Sequence, residues 1–182
     1  MREVQRRWLT LANLFTLLRL AAAPLLALAI RHGAMRAAGV LFWGAVASDF
    51  ADGRIARRRG EASSLGGLLD HTTDAIFVSL GLFAFALKGT LSLWLPVLIT
   101  LAFTQYAADS RALQGRALRT SWLGRWNGIG YFALLGTPIT RDLLGLAWPG
   151  DRMLSRLGGL LVVTTLVSMV DRAHALLSRR LG

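Results

Sequence analysis

VASDFADGRIARRRGEASSLGGLLDHTTDAIF, residues 46–77, sets four aspartates and a cluster of arginines between two apolar stretches. Asp49 and Asp52 stand at i, i+3, and Asp70 and Asp74 at i, i+4. On helices each pair shares one face. Both flanks read as membrane helices. An ionised carboxylate at a bilayer centre costs about 2.5–3.5 kcal/mol even on mild insertion scales. Four unpaired ones would cost about 10–14 kcal/mol, an upper bound because helix ends and wet cavities soften it. Divalent cations are the natural offset, because hard ions take carboxylate oxygens.

The rest of the chain supports the membrane reading. Its 182 residues are 54% hydrophobic, with a mean hydropathy of +0.48. That is too apolar for an ordinary soluble domain. Cysteine is absent, which excludes disulfides and thiolate metal sites. The net charge is +11, and Lys88 is the one lysine among 21 basic residues. These arginines fall between apolar runs, so they point to topology and anionic lipid rather than to nucleic acid.

Six stretches approach the roughly 20 apolar residues a spanning helix needs: 11–31, 35–55, 66–87, 91–109, 122–140 and 153–175. Residues 1–9, MREVQRRWL, read as a short basic amphipathic segment at the interface. The expectation is therefore an all-α integral membrane protein of six transmembrane helices plus a short N-terminal interfacial helix. Short connections make residues 1–182 one domain. The start of the chain resembles a signal peptide. Its apolar run is long and carries Asn13, Thr16 and Arg19, so it is expected to be retained. Counting basic residues by side gives 14 against 6 (Arg31, Arg36, Lys88, Arg141, Arg152 and Arg156). The richer side is cytoplasmic, which puts both termini and the aspartates there.

From Asp49 the spacing is D-x2-D-G-x2-A-R-x8-G-x3-D-x3-D, through Gly53, Ala56, Arg57 and Gly66 to Asp70 and Asp74. At every fixed position this resembles the signature of the CDP-alcohol phosphotransferase family. Asn13–Pro24, NLFTLLRLAAAP, is similar to the first helix of the phosphatidylglycerophosphate synthase-like branch. Physical chemistry supports the same use of these residues. Four carboxylates from two helices can hold two metal ions, and two metals can clamp a pyrophosphate. Gly53 and Gly66 let a substrate approach the backbone. Arg57 offers a planar, permanently charged fork for phosphate, and Ser63 and Ser64 add hydroxyl donors.

The resemblance implies roles, position by position. Asp49, Asp52, Asp70 and Asp74 would hold two Mg²⁺ or Mn²⁺ ions, with Asp74 also the general base on the acceptor hydroxyl. Gly53, Arg57, Ser63 and Gly66, with Asn13 and Thr16, would contact the CDP moiety. The reaction implied is transfer of a phosphatidyl group from CDP-diacylglycerol to an alcohol, with release of CMP. Glycerol 3-phosphate leads as acceptor. A second phospholipid, inositol phosphate, serine, or a CDP-aminoalcohol as donor are the alternatives. The resemblance also implies a bacterial cytoplasmic membrane and a homodimer. No nucleic acid partner is expected.

Other readings compete at single residues. Arg58 and Arg59 read as topology determinants, and Gly66-Gly67 also suits a helix-packing notch. His71 reads as a packing neighbour of the metal ligands rather than a ligand. The tryptophans read as interface anchors. At the expected acceptor site, Gly124-Arg125-Trp126-Asn127-Gly128 departs from the G-K-x-K-T of the glycerol-phosphate branch. Arg125 keeps a cation there, and Arg111, with Arg116 and Arg119, is a second source of charge. His71-Thr72-Thr73 makes a D-H-x-x-D pattern similar to the aminoalcohol branch. Outside the enzyme class, a divalent-cation transporter would also use intramembrane aspartates, but such proteins tend to show inverted repeats, and this chain has none.

Overall fold

Helix α1 runs Leu11–Arg31, α2 Met35–Arg59, α3 Ser64–Leu87, α4 Trp94–Asp109, α5 Trp122–Leu143 and α6 Asp151–Leu181. The computed structural model describes residues 11–59, 64–109 and 121–181, with side chains over 15–50, 66–108 and 121–175. Within these residues the protein is all-helical, and each expected span falls on one helix. The N-terminal interfacial segment lies outside the described residues.

The helix boundaries have local causes. Gly33 and Gly89 take φ of 71° and 80° in the turns that follow α1 and α3, a region that only glycine enters cheaply. Ser121 caps α5, its hydroxyl accepting the Gly124 N–H at 3.0 Å. At the start of α4, the Ser92 hydroxyl accepts the Trp94 N–H at 3.3 Å.

The helices close a ring. Neighbours in contact run α1–α2–α5–α6–α4–α3 and back to α1, and α3 also reaches α5 across the middle. Buried Ala23, Leu26 and Ile30 of α1, Phe77, Val78, Leu82 and Phe85 of α3, and Leu134, Leu135 and Ile139 of α5 belong to one continuous core. Phe77 stacks between Phe42 and Phe132, with centroids 6.5 and 6.4 Å away. It ties α2, α3 and α5 together one turn from Asp74.

Gly136 of α5 lets α2 come close. A Cβ there would lie 2.5 and 2.6 Å from Phe42 Cζ and Cε1. The Phe42 ring is held by Phe77 and by Trp43, 5.3 Å away edge-on, so it has little room to yield. Gly136→Val is expected to lower stability by about 1–3 kcal/mol, the usual cost of overpacking. The check is a lower thermal midpoint in detergent, with Gly44→Val as control because, among the described residues, a Cβ there meets nothing within 4 Å beyond its own stretch of helix.

The exterior is apolar. Val40, Trp94 and Val170 are about 70% exposed (75, 69 and 68%), an unusual surface for a soluble monomer. By length and composition, Gly66–Leu87 and Asp151–Ala175 are apolar enough to cross a membrane. Trp94–Ala108 is apolar but shorter, about 22 Å at 1.5 Å per residue. Among the other helices, α2 carries Arg36 and Asp49, and α5 carries Arg125, Asn127, Arg141 and Asp142. Polar side chains therefore interrupt helices of sufficient length.

Candidate active site

The six helices together line a cavity of about 660 Å³. Asp49 enters it from the second half of α2, and Asp74 from the first half of α3. Asp70 stands one turn before Asp74 on the same face. The four-residue spacing thus does what helical geometry requires, and the ring brings α2 and α3 to the same end.

What joins the carboxylates is a residue of α1. Arg19 is 2% exposed. One of its terminal nitrogens, Nη2, donates to Asp49 Oδ1 at 2.9 Å. The other, Nη1, donates to Asp70 Oδ1 at 3.0 Å and Asp74 Oδ1 at 2.6 Å. A buried guanidinium needs paired charge and satisfied donors, and three carboxylates supply both. Sequence reading missed Arg19 as a site residue. The signal was present as an arginine in a 21-residue apolar run, but it served only to argue against a signal peptide.

The carboxylates and a neighbouring imidazole suit a hard divalent cation. One ligand atom each from Asp70, His71 and Asp74 lies within 4.8 Å of the others. Carboxylate oxygens favour Mg²⁺ or Mn²⁺. His71 itself is exposed and sits edge-on to Tyr106, with centroids 6.0 Å apart.

The other expected site residues are placed unevenly. Asp52, Gly53 and Arg57 follow Asp49 on the α2 backbone, but their side chains lie outside the described residues, as does that of Asn13. Ser63 and Arg111 lie wholly outside them. Thr16, half-buried, is three residues before Arg19, and Gly66, also half-buried, opens α3 one turn before Asp70.

Arg125 lines the same cavity from α5, and Arg172 lines it from α6. The Arg172 guanidinium lies 5.0 Å from the centroid of the Tyr106 ring, a cation–π distance. Among the described residues, Gln105 Oε1, Tyr106 Oη and Asn127 Nδ2, buried polar atoms of residues lining the cavity, have no hydrogen-bond partner. Such atoms are costly unless something satisfies them. Between them they offer donors and acceptors for a polar ligand in the cavity. Tyr106, Gln105 and Arg172 were not singled out as ligand contacts by sequence. Arg172 was counted only as a topology charge, and Asn127 only as a departure from a motif.

The sequence model of a family described as CDP-alcohol phosphatidyltransferase matches residues 9–170. A protein of Mycobacterium tuberculosis named "Probable phosphatidylglycerophosphate synthase" is 36% identical over 95 residues, 49% of this chain and 46% of the relative. A "Cardiolipin synthase (CMP-forming)" of Streptomyces coelicolor is 36% identical over 100 residues, 51% of this chain and 46% of the relative. The chain thus spans about half the length of each of these relatives. No solved structure matches it.

Proposed function

The chain belongs to the CDP-alcohol phosphatidyltransferase family, and from that premise we propose that it is a membrane-embedded enzyme of phospholipid synthesis. It transfers the phosphatidyl group of CDP-diacylglycerol to an alcohol, with glycerol 3-phosphate as the leading acceptor, and releases CMP. The observation that carries this reading is the convergence of Asp49, Asp70 and Asp74 on Arg19, beside a cavity that Asp49 and Asp74 line together with Arg125 and Arg172. The carboxylates offer oxygens for metal, and the two arginines offer positive charge for an anionic acceptor.

Asp49, Asp52, Asp70 and Asp74 hold two Mg²⁺ or Mn²⁺ ions. When bound, the ions neutralise charge on the pyrophosphate. Asp74 accepts the proton of the acceptor hydroxyl. The acceptor oxygen then bonds to the β-phosphorus, and the bond from that phosphorus to the bridging oxygen breaks. The electron pair leaves with CMP. Gly53, Arg57, Ser63, Gly66, Asn13 and Thr16 hold the CDP moiety, and Arg111 and Arg125 serve the acceptor. Positioning and charge neutralisation dominate such transfers.

The apolar exterior fits a bilayer, with six spans, both termini cytoplasmic and the cavity end facing the cytosol, and the protein working as a homodimer. A short helix such as α4 is accommodated by local thinning of the bilayer or by its neighbours.

A second phospholipid as acceptor is the second reading, because an apolar groove between α2 and α5 shares Val46, Ile129 and Phe132 with the cavity. The test is CMP release by purified protein from CDP-diacylglycerol with Mg²⁺ across an acceptor panel, with the lipid product identified by mass spectrometry. Failure of every CDP-alcohol to turn over would remove the assignment. Arg125→Ala is expected to raise the KM for glycerol 3-phosphate about 10–100-fold, the loss of one hydrogen bond to a charged group, with the KM for CDP-diacylglycerol unchanged. An equal rise in both would place Arg125 elsewhere.

A further inference from the structure

We propose that Arg19 is the internal counter-cation of the carboxylate cluster and competes with divalent metal for the same oxygens. This rests on the reading of the aspartates as a metal site and concerns the protein cation that shares its oxygens.

The geometry is specific. The Oδ1 atoms of Asp49, Asp70 and Asp74 all accept from one guanidinium, at 2.9, 3.0 and 2.6 Å. These oxygens come from two helices, and Arg19 from a third, 30 to 55 residues away in sequence. The arginine side chain is 1% exposed, whereas those of Asp49, Asp70 and Asp74 are 49, 34 and 23% exposed. The cation is thus the least exposed member of the cluster, and Asp49 and Asp74 line the cavity beside it.

Charge sharpens the competition. Four aspartates carry four negative charges, and two divalent ions would cancel them. With Arg19 still in contact, the same pair of ions leaves one positive charge in excess. Each carboxylate oxygen that turns to a metal weakens its bond to the guanidinium, and each bond to Arg19 raises the cost of metal entry. A guanidinium can serve several acceptors at once because it carries five N–H donors in a fixed fork. A lysine ammonium in its place is a point charge on a flexible stem and bridges three helically fixed carboxylates less well.

The test measures metal binding and stability rather than turnover. Mn²⁺ binding is titrated in nucleotide-free protein in nanodiscs, from the electron paramagnetic resonance signal of the free ion. Wild type, Arg19→Gln and Arg19→Lys are compared, and thermal midpoints are read with and without Mn²⁺. Arg19→Gln is expected to bind Mn²⁺ at least tenfold more tightly than wild type, and Arg19→Lys to fall between. Without metal, Arg19→Gln melts lower than wild type, and Mn²⁺ raises its midpoint by more. If either folded variant binds Mn²⁺ no more tightly than wild type, Arg19 does not compete, and the proposal falls. Arg19→Lys keeps the charge, so it decides the matter should Arg19→Gln not fold. Absence of Mn²⁺ binding in all three proteins would instead remove the metal-site reading itself, and this inference with it.

Discussion

Asp74→Asn is expected to reduce CMP release by about 10⁴-fold, combining loss of a positioned general base (about 10²–10⁴-fold) with a weakened metal ligand set. The carboxylate stands on α3 at the cavity wall, bonded to Arg19 at 2.6 Å. Asparagine keeps its size and one acceptor oxygen but loses the charge and the capacity to take a proton. The substitution also removes one of the anionic partners of Arg19. A stability control is therefore part of the measurement, made by comparing thermal midpoints of variant and wild type. Asp70→Asn provides the contrast: it weakens metal binding without touching the base, so excess Mg²⁺ recovers part of its activity. Excess Mg²⁺ leaves Asp74→Asn inactive. Recovery of Asp74→Asn to wild-type rates at high Mg²⁺ would strip Asp74 of the base role and leave it a ligand.

Much of this arrangement was legible in the chain because helices are local. The four-residue step from Asp70 to Asp74 fixes a shared face whatever surrounds it. Apolar runs bounded by Gly33, Gly89 and Ser121 fix where helices turn, and the expected span at 11–31 coincides with α1. The later boundaries moved by a few residues, since polar ends such as Arg57–Arg59 and Asp151–Arg152 continue a helix without being apolar.

What sequence could not supply is packing between helices. Nothing in the spacing of the aspartates reaches back to Arg19, which meets them because α1 lies against both α2 and α3. The same holds for Gln105, Tyr106 and Asn127. Their unpartnered buried atoms become visible only when α4 and α5 are seen to share a cavity. Polar residues scattered along apolar helices look alike in sequence, and the ring decides which of them face inward.

Metal removal is the second large effect, and it separates chemistry from folding. Chelation is expected to lower CMP release by at least about 10³-fold, as loss of several kcal/mol of charge stabilisation requires. Mg²⁺ or Mn²⁺ restores it. Ca²⁺ restores it poorly, because its oxygen ligands sit at about 2.3–2.6 Å against about 2.0–2.1 Å for Mg²⁺, with looser geometry. Chelation leaves the wild-type fold intact, because three carboxylates keep a buried cationic partner in Arg19. Helical circular dichroism should then be unchanged by the chelator while turnover disappears. Unfolding on chelation would mean that the carboxylates depend on metal alone for their compensation. Unchanged turnover would mean that charge at the donor pyrophosphate is neutralised by protein cations, and the aspartates would then need another role.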